Sequence, residues 1–167
     1  WSWSRGLGDV YKRQFNGRVI APNTIRTIEG GLLSYGSDFG REHNPYTIGF
    51  DRLVNVDQEI DFIGKEALKK IKADGPSEKL VGLELEGEPI IKAPENFWPV
   101  LYDGEKIGRL SRAFYSPRLK RNIGLAILKV DFCKEGTEVL VDSPYGDLIS
   151  KVVKLPWFKA DKETYLD

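Results

Sequence analysis

One carboxylate in this chain stands where a carboxylate is hard to keep. Over residues 25–38, Ile25, Ile28, Leu32 and Leu33 recur at helical spacing and define a core-facing stripe. Glu29 falls on or beside that stripe, between Ile28 and Leu32. An ionised carboxylate there needs hydrogen-bond donors to remain charged. Gly30 and Gly31 follow at once, and each costs about 1 kcal/mol relative to Ala inside a helix. The pairing predicts that something approaches the backbone closely. The pattern leaves two readings open. Either Glu29 is paired with an Arg or solvated at a helix edge, or a ligand supplies its donors.

Other groups able to do chemistry are few. The single His43 sits in a polar loop and reads as a solvated residue. The single Cys133 excludes an intrachain disulfide and a Cys-based zinc site, and reads as a quiet thiol. No metal site is predicted. A local basic stretch, Arg109, Arg112, Arg118, Lys120 and Arg121, is interleaved with Phe114 and Tyr115. It could bind RNA on a small barrel, or it could be a solvated loop and strand edge. Lys plus Arg, 25, equals Asp plus Glu, 25, so no global field favours nucleic acid or an anionic membrane. The expectation is therefore no nucleic-acid partner. The composition, 41% hydrophobic and 30% charged, is that of a soluble globular protein. No apolar run approaches the roughly 20 residues needed to span a bilayer, and a reducing, cytoplasmic setting fits the cysteine count.

The elements that must position these groups divide the chain. Residues 1–14 have neither strand nor helix period. Their tail, Leu7-Gly-Asp-Val-Tyr-Lys-Arg-Gln14, resembles a translated sequencing adapter and is expected to be non-native. Residues 15–21 read as a short strand. Asn23 is a candidate N-cap for a helix that Tyr35-Gly36 ends, with Asp38 free to cap or pair locally. Residues 46–56 read as extended. A second helix is predicted over Asp61–Lys72 on a stripe of Ile63, Ala67, Leu68 and Ile71. Asp74-Gly-Pro-Ser77 is a natural boundary. Beyond it the hydrophobic period changes to two. Strands are predicted at residues 80–86, 99–102, 106–110, 123–128, 138–141 and 148–153, with Asp103-Gly104 as a hairpin turn. The fold class is α+β. Residues 15–75 are the C-terminal portion of an α/β domain, and residues 76–167 are a small antiparallel β-barrel or sandwich. Residues 15–75 bury too little surface to stand alone, so a missing upstream part is expected to cover them.

Taken in order, these segments resemble the folate-dependent aminomethyltransferase family, whose type member is the glycine-cleavage T-protein. The resemblance rests on Ile28-Glu-Gly-Gly-Leu-Leu-Ser-Tyr-Gly-Ser-Asp38, Asn44-Pro45, Gly49-Phe-Asp-Arg52 and Asp61-Phe-Ile-Gly-Lys65. It continues in Ile107-Gly-Arg-Leu-Ser-Arg-Ala-Phe-Tyr-Ser-Pro-Arg-Leu-Lys-Arg-Asn-Ile-Gly-Leu-Ala126, which looks like that family's C-terminal barrel motif. Within the family, Glu29–Gly36 and the Asn44-Pro-Tyr46 loop look closer to the dimethylsulfoniopropionate demethylase branch. The T-protein usually carries Glu-Ala-Gly at the first site and a basic cluster where this chain has acidic Asn55-Val-Asp-Gln-Glu-Ile60. The iron–sulphur assembly branch is disfavoured, since its Lys-Gly-Cys motif is absent.

The resemblance implies tetrahydrofolate as cofactor, a small-molecule methyl donor as partner, and a three-domain cloverleaf of which this chain is the end. It implies that Glu29 binds the pterin, accepting the ring N–H and the exocyclic amino group side by side. Tyr35 would stack or hydrogen-bond nearby. Trp157, in Leu155-Pro-Trp-Phe158, would approach the folate through the C-terminal tail, although its bottom-up reading is packing against the last strand. The implied reaction is transfer of a methyl group from a sulphonium to N5 of tetrahydrofolate. Alternatives are aminomethyl transfer in glycine cleavage and the folate-binding end of a sarcosine or dimethylglycine dehydrogenase. Catalytic residues are expected in the missing N-terminal part, so the fragment is expected to be inactive alone.

Overall fold

The computed structural model describes residues 23–158 of the 167-residue chain. The expected tail at 1–14 and strand at 15–21 lie outside the described residues. A short helix, α1 (Thr24–Glu29), and a second, α2 (Lys65–Asp74), precede six strands. These are β1 (Glu78–Leu85), β2 (Trp98–Tyr102), β3 (Glu105–Ser116), β4 (Arg121–Lys129), β5 (Glu138–Ser143) and β6 (Gly146–Val153). The strands close into a barrel in the order β1-β4-β3-β2-β5-β6, every pair antiparallel. Closure leaves no unpaired sheet edge.

Each predicted strand is present, and the Asp103-Gly104 turn joins β2 to β3 with both residues at positive φ, as a type I′ hairpin requires. β3 is much longer than its alternation indicates. Bulges at Ile107 and Ser111 shift its register, so the buried residues are Ile107, Leu110, Ala113 and Ser116 rather than every second one. β4 is buried on both faces from Asn122 to Leu128, which explains its unbroken apolar run. Ala126 and Leu128 join Val81, Leu83, Val100, Leu110 and Val141 inside the barrel. Ile123 and Leu125 instead pack outside it, with Ile28 of α1 and with Leu155 and Trp157 after β6. This second cluster seats α1 on the barrel.

Three local expectations are corrected. The first helix ends at Glu29, not at Tyr35, so Leu32 is exposed and no helical stripe continues past Ile28. The second helix begins at Lys65, because Gly64 sits at φ +89° and cannot be its first turn. Ile63 is consequently exposed and Ala67 faces outward, while Leu68 and Ile71 are half-buried. Residues 46–56 are turns and a short 3₁₀ helix at Asp51–Leu53 rather than extended chain. Asn44 Oδ1 accepts the N–H groups of Tyr46 and Thr47, and Gly49 adopts φ +74°, which turns the backbone twice.

Candidate functional site

The site is built around the end of α1. Asn23 caps the helix, its side chain accepting from the N–H groups of Ile25 and Arg26 at 3.0 and 3.3 Å. The helix then stops in a Schellman motif. Gly31 N–H donates to Ile28 O at 2.9 Å, and Leu32 N–H donates to Thr27 O at 2.8 Å. Gly31 is the residue at positive φ, +64°, that this motif demands. Its Cα also faces Leu155 and Pro156, whose atoms would lie 3.7 Å from any Cβ placed there. Gly31 thus serves both the turn and the approach of the chain that follows β6.

Glu29 is 6% exposed, the last residue of the helix. Its Oε1 accepts the Ser116 hydroxyl proton at 2.5 Å, across from the end of β3. The Ser116 Oγ in turn accepts the N–H of Leu119 at 3.1 Å. Among the described residues no donor reaches Oε2, and no Arg or Lys pairs with this carboxylate. Among the described residues the partner of Glu29 is a serine rather than an arginine, and this contact leaves acceptor capacity over.

The nearby arginine serves a different carboxylate. Asp38 has a fully buried side chain, and Arg112 on β3 is 12% exposed. Asp38 Oδ1 accepts from Ser111 Oγ and Arg112 Nε, both at 2.8 Å. Asp38 Oδ2 accepts from Ser34 N–H at 2.7 Å and Arg112 Nη2 at 2.6 Å. Arg112 also donates to Leu32 O at 2.7 Å and Thr27 Oγ1 at 3.1 Å. One guanidinium therefore clamps residues 27–38 onto the barrel in a bidentate, fully hydrogen-bonded pair. Asp38 reaches beyond the local pairing the sequence indicated. Phe158 N–H donates to Glu29 O at 3.2 Å, which ties the chain after β6 to the same helix end.

Of the residues singled out from sequence, Trp157 packs with Ile28 beneath the helix that carries Glu29, and Tyr35 stands apart from both. Trp157 packs in the cluster of Ile28, Ile123 and Leu125. Its ring lies against Gly82, where an added Cβ would sit 2.8 Å from it. Trp157 Nε1 is buried with no acceptor among the described residues. Tyr35 is 65% exposed and packs edge-on against Phe39 at 5.6 Å between centroids. A cleft of about 760 Å³ opens beside the helix end, between Gly30–Leu32, Ile48–Phe50, Lys79–Val81 and Val153–Pro156. Arg52, Cys133 and Glu135 also line it, whereas the side chains of Glu29, Tyr35 and Trp157 do not.

Most of the basic stretch is paired or packed against rings. Arg112 is consumed by Asp38, Arg121 pairs with Glu84 at 2.7 Å, Arg109 lies over Phe97 and reaches Glu42, and Arg118 lies over Phe158. His43 is not solvated: its side chain is 5% exposed, and Nδ1 accepts the N–H of Gly40 at 3.1 Å. Burial pushes the Cys133 thiol above its ordinary pKa. Among the described residues no group of His, Cys, Asp and Glu is placed to hold a metal ion.

Ser116 and Arg112 are the residues whose roles the sequence did not give. Both lie in the 107–126 segment, but the bulge at Ser111 decides which of its side chains turn inward. The signal was the Ser-Pro pair at 116–117, which ends a strand with a hydroxyl at its tip.

Comparison with known proteins places these features in a wider set. Residues 78–159 match the profile of the glycine cleavage T-protein C-terminal barrel domain. An aminomethyltransferase of Halalkalibacterium halodurans is 42% identical over 139 residues, covering 83% of this chain and 37% of that protein. A dimethylsulfoniopropionate demethylase of Ruegeria pomeroyi is 35% identical over 131 residues, covering 78% of this chain and 35% of that protein. The crystal structure of the glycine cleavage system aminomethyltransferase T from Bartonella henselae aligns with a TM-score of 0.69 at 22% identity, over 78% of this chain and 36% of that one. The chain spans little more than a third of the length of the relatives it matches.

Proposed function

The chain belongs, through residues 78–159, to the glycine cleavage T-protein C-terminal barrel domain family, and on that premise we propose that it is the tetrahydrofolate-binding, C-terminal part of a one-carbon transferase. The observation that carries this reading is Glu29. Its carboxylate is buried, held by one serine, and keeps Oε2 without a partner among the described residues. A buried carboxylate in that state is prepared to accept from a ligand presenting two adjacent N–H donors, as the pterin edge does. Tetrahydrofolate, once bound, supplies N5 as the acceptor of the one-carbon group. The chain's own part is to hold the ring: Glu29 would anchor its donor edge, Trp157 would support the site from the cluster beneath the helix end, and Tyr35, exposed in the following loop, would have to turn toward the ring to stack on it. Positioning of this kind lowers the barrier to a transfer whose donor already carries a good leaving group.

The proposed donor is a methyl on a sulphonium, the chemistry named for the Ruegeria relative, and the Glu29-Gly-Gly31 sequence and the acidic segment 55–60 support it. The aminomethyl donor of glycine cleavage is the second reading, favoured by the higher identity, 42% against 35%, of the aminomethyltransferase relative. Donor-binding and proton-handling residues belong, on this reading, to upstream sequence. Two experiments test it. Calorimetric titration of the 167-residue chain with tetrahydrofolate is expected to show saturable binding, with no methyl transfer by the chain alone. Fusion behind the upstream part of the Halalkalibacterium aminomethyltransferase, assayed with each donor in turn, then separates the two chemistries. Absence of binding, or robust turnover by the isolated chain, contradicts the proposal.

A further inference from the structure

We propose that Ser116, at the tip of β3, is a positioning residue that makes Glu29 an obligate acceptor and thereby sets which ligand edge the site takes. The inference rests on the folate reading above and deepens it. Ser116 is fully buried. Its hydroxyl oxygen accepts the Leu119 N–H on one lone pair, and its single proton is directed at Glu29 Oε1, 2.5 Å away. An O–H donor at that distance from a carboxylate oxygen is in the short, charge-assisted class. Oε1 is thereby fixed as an acceptor, and among the described residues no donor reaches Oε2.

Both sides of this contact are held. Ser116 ends a strand that is paired residue for residue with β4 from Arg112 onward, and it faces Arg121. Glu29 sits on a helix end closed by the Schellman bonds and pinned through Leu32 and Thr27 by Arg112. The clamp fixes the backbone that carries Glu29, and the serine hydrogen bond holds the carboxylate itself. A site built this way accepts a ligand edge with two parallel N–H donors and rejects one that presents an acceptor or lacks a donor there, because a buried polar atom is then left unpaired. Ser116 does not touch the ligand. It acts through Glu29.

The test is a double-mutant cycle on the 167-residue chain, with Ser116→Ala, Glu29→Gln and the pair, titrated with tetrahydrofolate and with its 2-desamino analogue, which lacks the exocyclic amino group. Thermal unfolding of every variant is recorded alongside. Ser116→Ala is expected to weaken tetrahydrofolate binding roughly three- to tenfold and to weaken the analogue less, so that discrimination between the two shrinks. The double variant is expected to bind no more weakly than Glu29→Gln, since the serine acts only through that carboxylate. Additive losses, or equal losses for both ligands, overturn the inference. A lowered unfolding midpoint with ligand discrimination intact marks a merely structural serine and also overturns it. Ser116→Cys, a weaker donor of similar size, gives an intermediate loss and stands in if the alanine variant does not fold. Failure of the unmodified chain to bind tetrahydrofolate removes the folate reading and this inference with it. Binding by the unmodified chain with an additive cycle removes this inference alone.

Discussion

Replacing Arg112 by Met is the sharpest test of how the helix end is held. The substitution keeps the length of the side chain and removes the guanidinium. Asp38 loses two of its four donors, those from Nε at 2.8 Å and Nη2 at 2.6 Å, and keeps Ser111 Oγ and Ser34 N–H. Its side chain has no exposure, so water does not replace them. Leu32 O and Thr27 Oγ1 lose a donor at the same time. Removing one partner of a buried ion pair costs about 3–5 kcal/mol, because the remaining charge is left uncompensated. Against the roughly 5–15 kcal/mol of a typical domain, that is a large share. Urea unfolding followed by tryptophan fluorescence measures it, Trp157 reporting on the cluster under α1. Adding Asp38→Leu to Arg112→Met removes the stranded charge. The double variant is expected to be less destabilised than the sum of the singles by about 1–3 kcal/mol. A loss under about 1 kcal/mol for Arg112→Met, or strict additivity with Asp38→Leu, would refute the view that this pair clamps residues 27–38 to the barrel.

Other positions give independent checks. Gly82→Ala drives a methyl to within 2.8 Å of the Trp157 ring and 2.9 Å of Val153; a loss of about 1–3 kcal/mol and a shifted tryptophan emission are expected, and unchanged emission would mean the ring is not seated there. Gly31→Ala forces a left-handed conformation on a residue with a Cβ and is expected to cost about 1–2 kcal/mol in urea unfolding. The Cys133 thiol, its pKa raised chiefly by burial, carries less thiolate than a free cysteine near pH 8. Labelling with a thiol reagent is expected to be slower in the folded chain than in urea, and the gap is expected to narrow as pH rises through the raised pKa.

The barrel was legible because its strands obey simple chemistry. Asp103-Gly104 can be little other than a two-residue hairpin turn, and the apolar run of β4 announces burial on both faces. The register of β3 was not legible, since bulges at Ile107 and Ser111 are set by pairing with β2 and β4 rather than by local pattern. That single fact hid Ser116 and Arg112. Glu29 was legible as an anomaly, a charge among apolar residues, but its partner lies 87 positions away. The glycines beside it predict a close approach to the backbone, and at Gly31 the approaching group is the neighbouring segment Leu155-Pro156; the left-handed conformation that Gly31 needs to stop the helix is not visible in the pattern. Apolar spacing alone carried the helix too far, because Leu32 and Leu33 continue the period after the backbone has already turned. His43 looked solvated for the opposite reason: its loop is polar, yet tertiary contacts bury the ring.

The most direct test of the central claim is a crystal structure of the chain with tetrahydrofolate bound. The account predicts the pterin ring N–H and exocyclic amino group within hydrogen-bonding distance of the Glu29 carboxylate, with Ser116 still donating to Oε1. A ring seated in the cleft between Ile48–Phe50 and Val153–Pro156, away from Glu29, would contradict it.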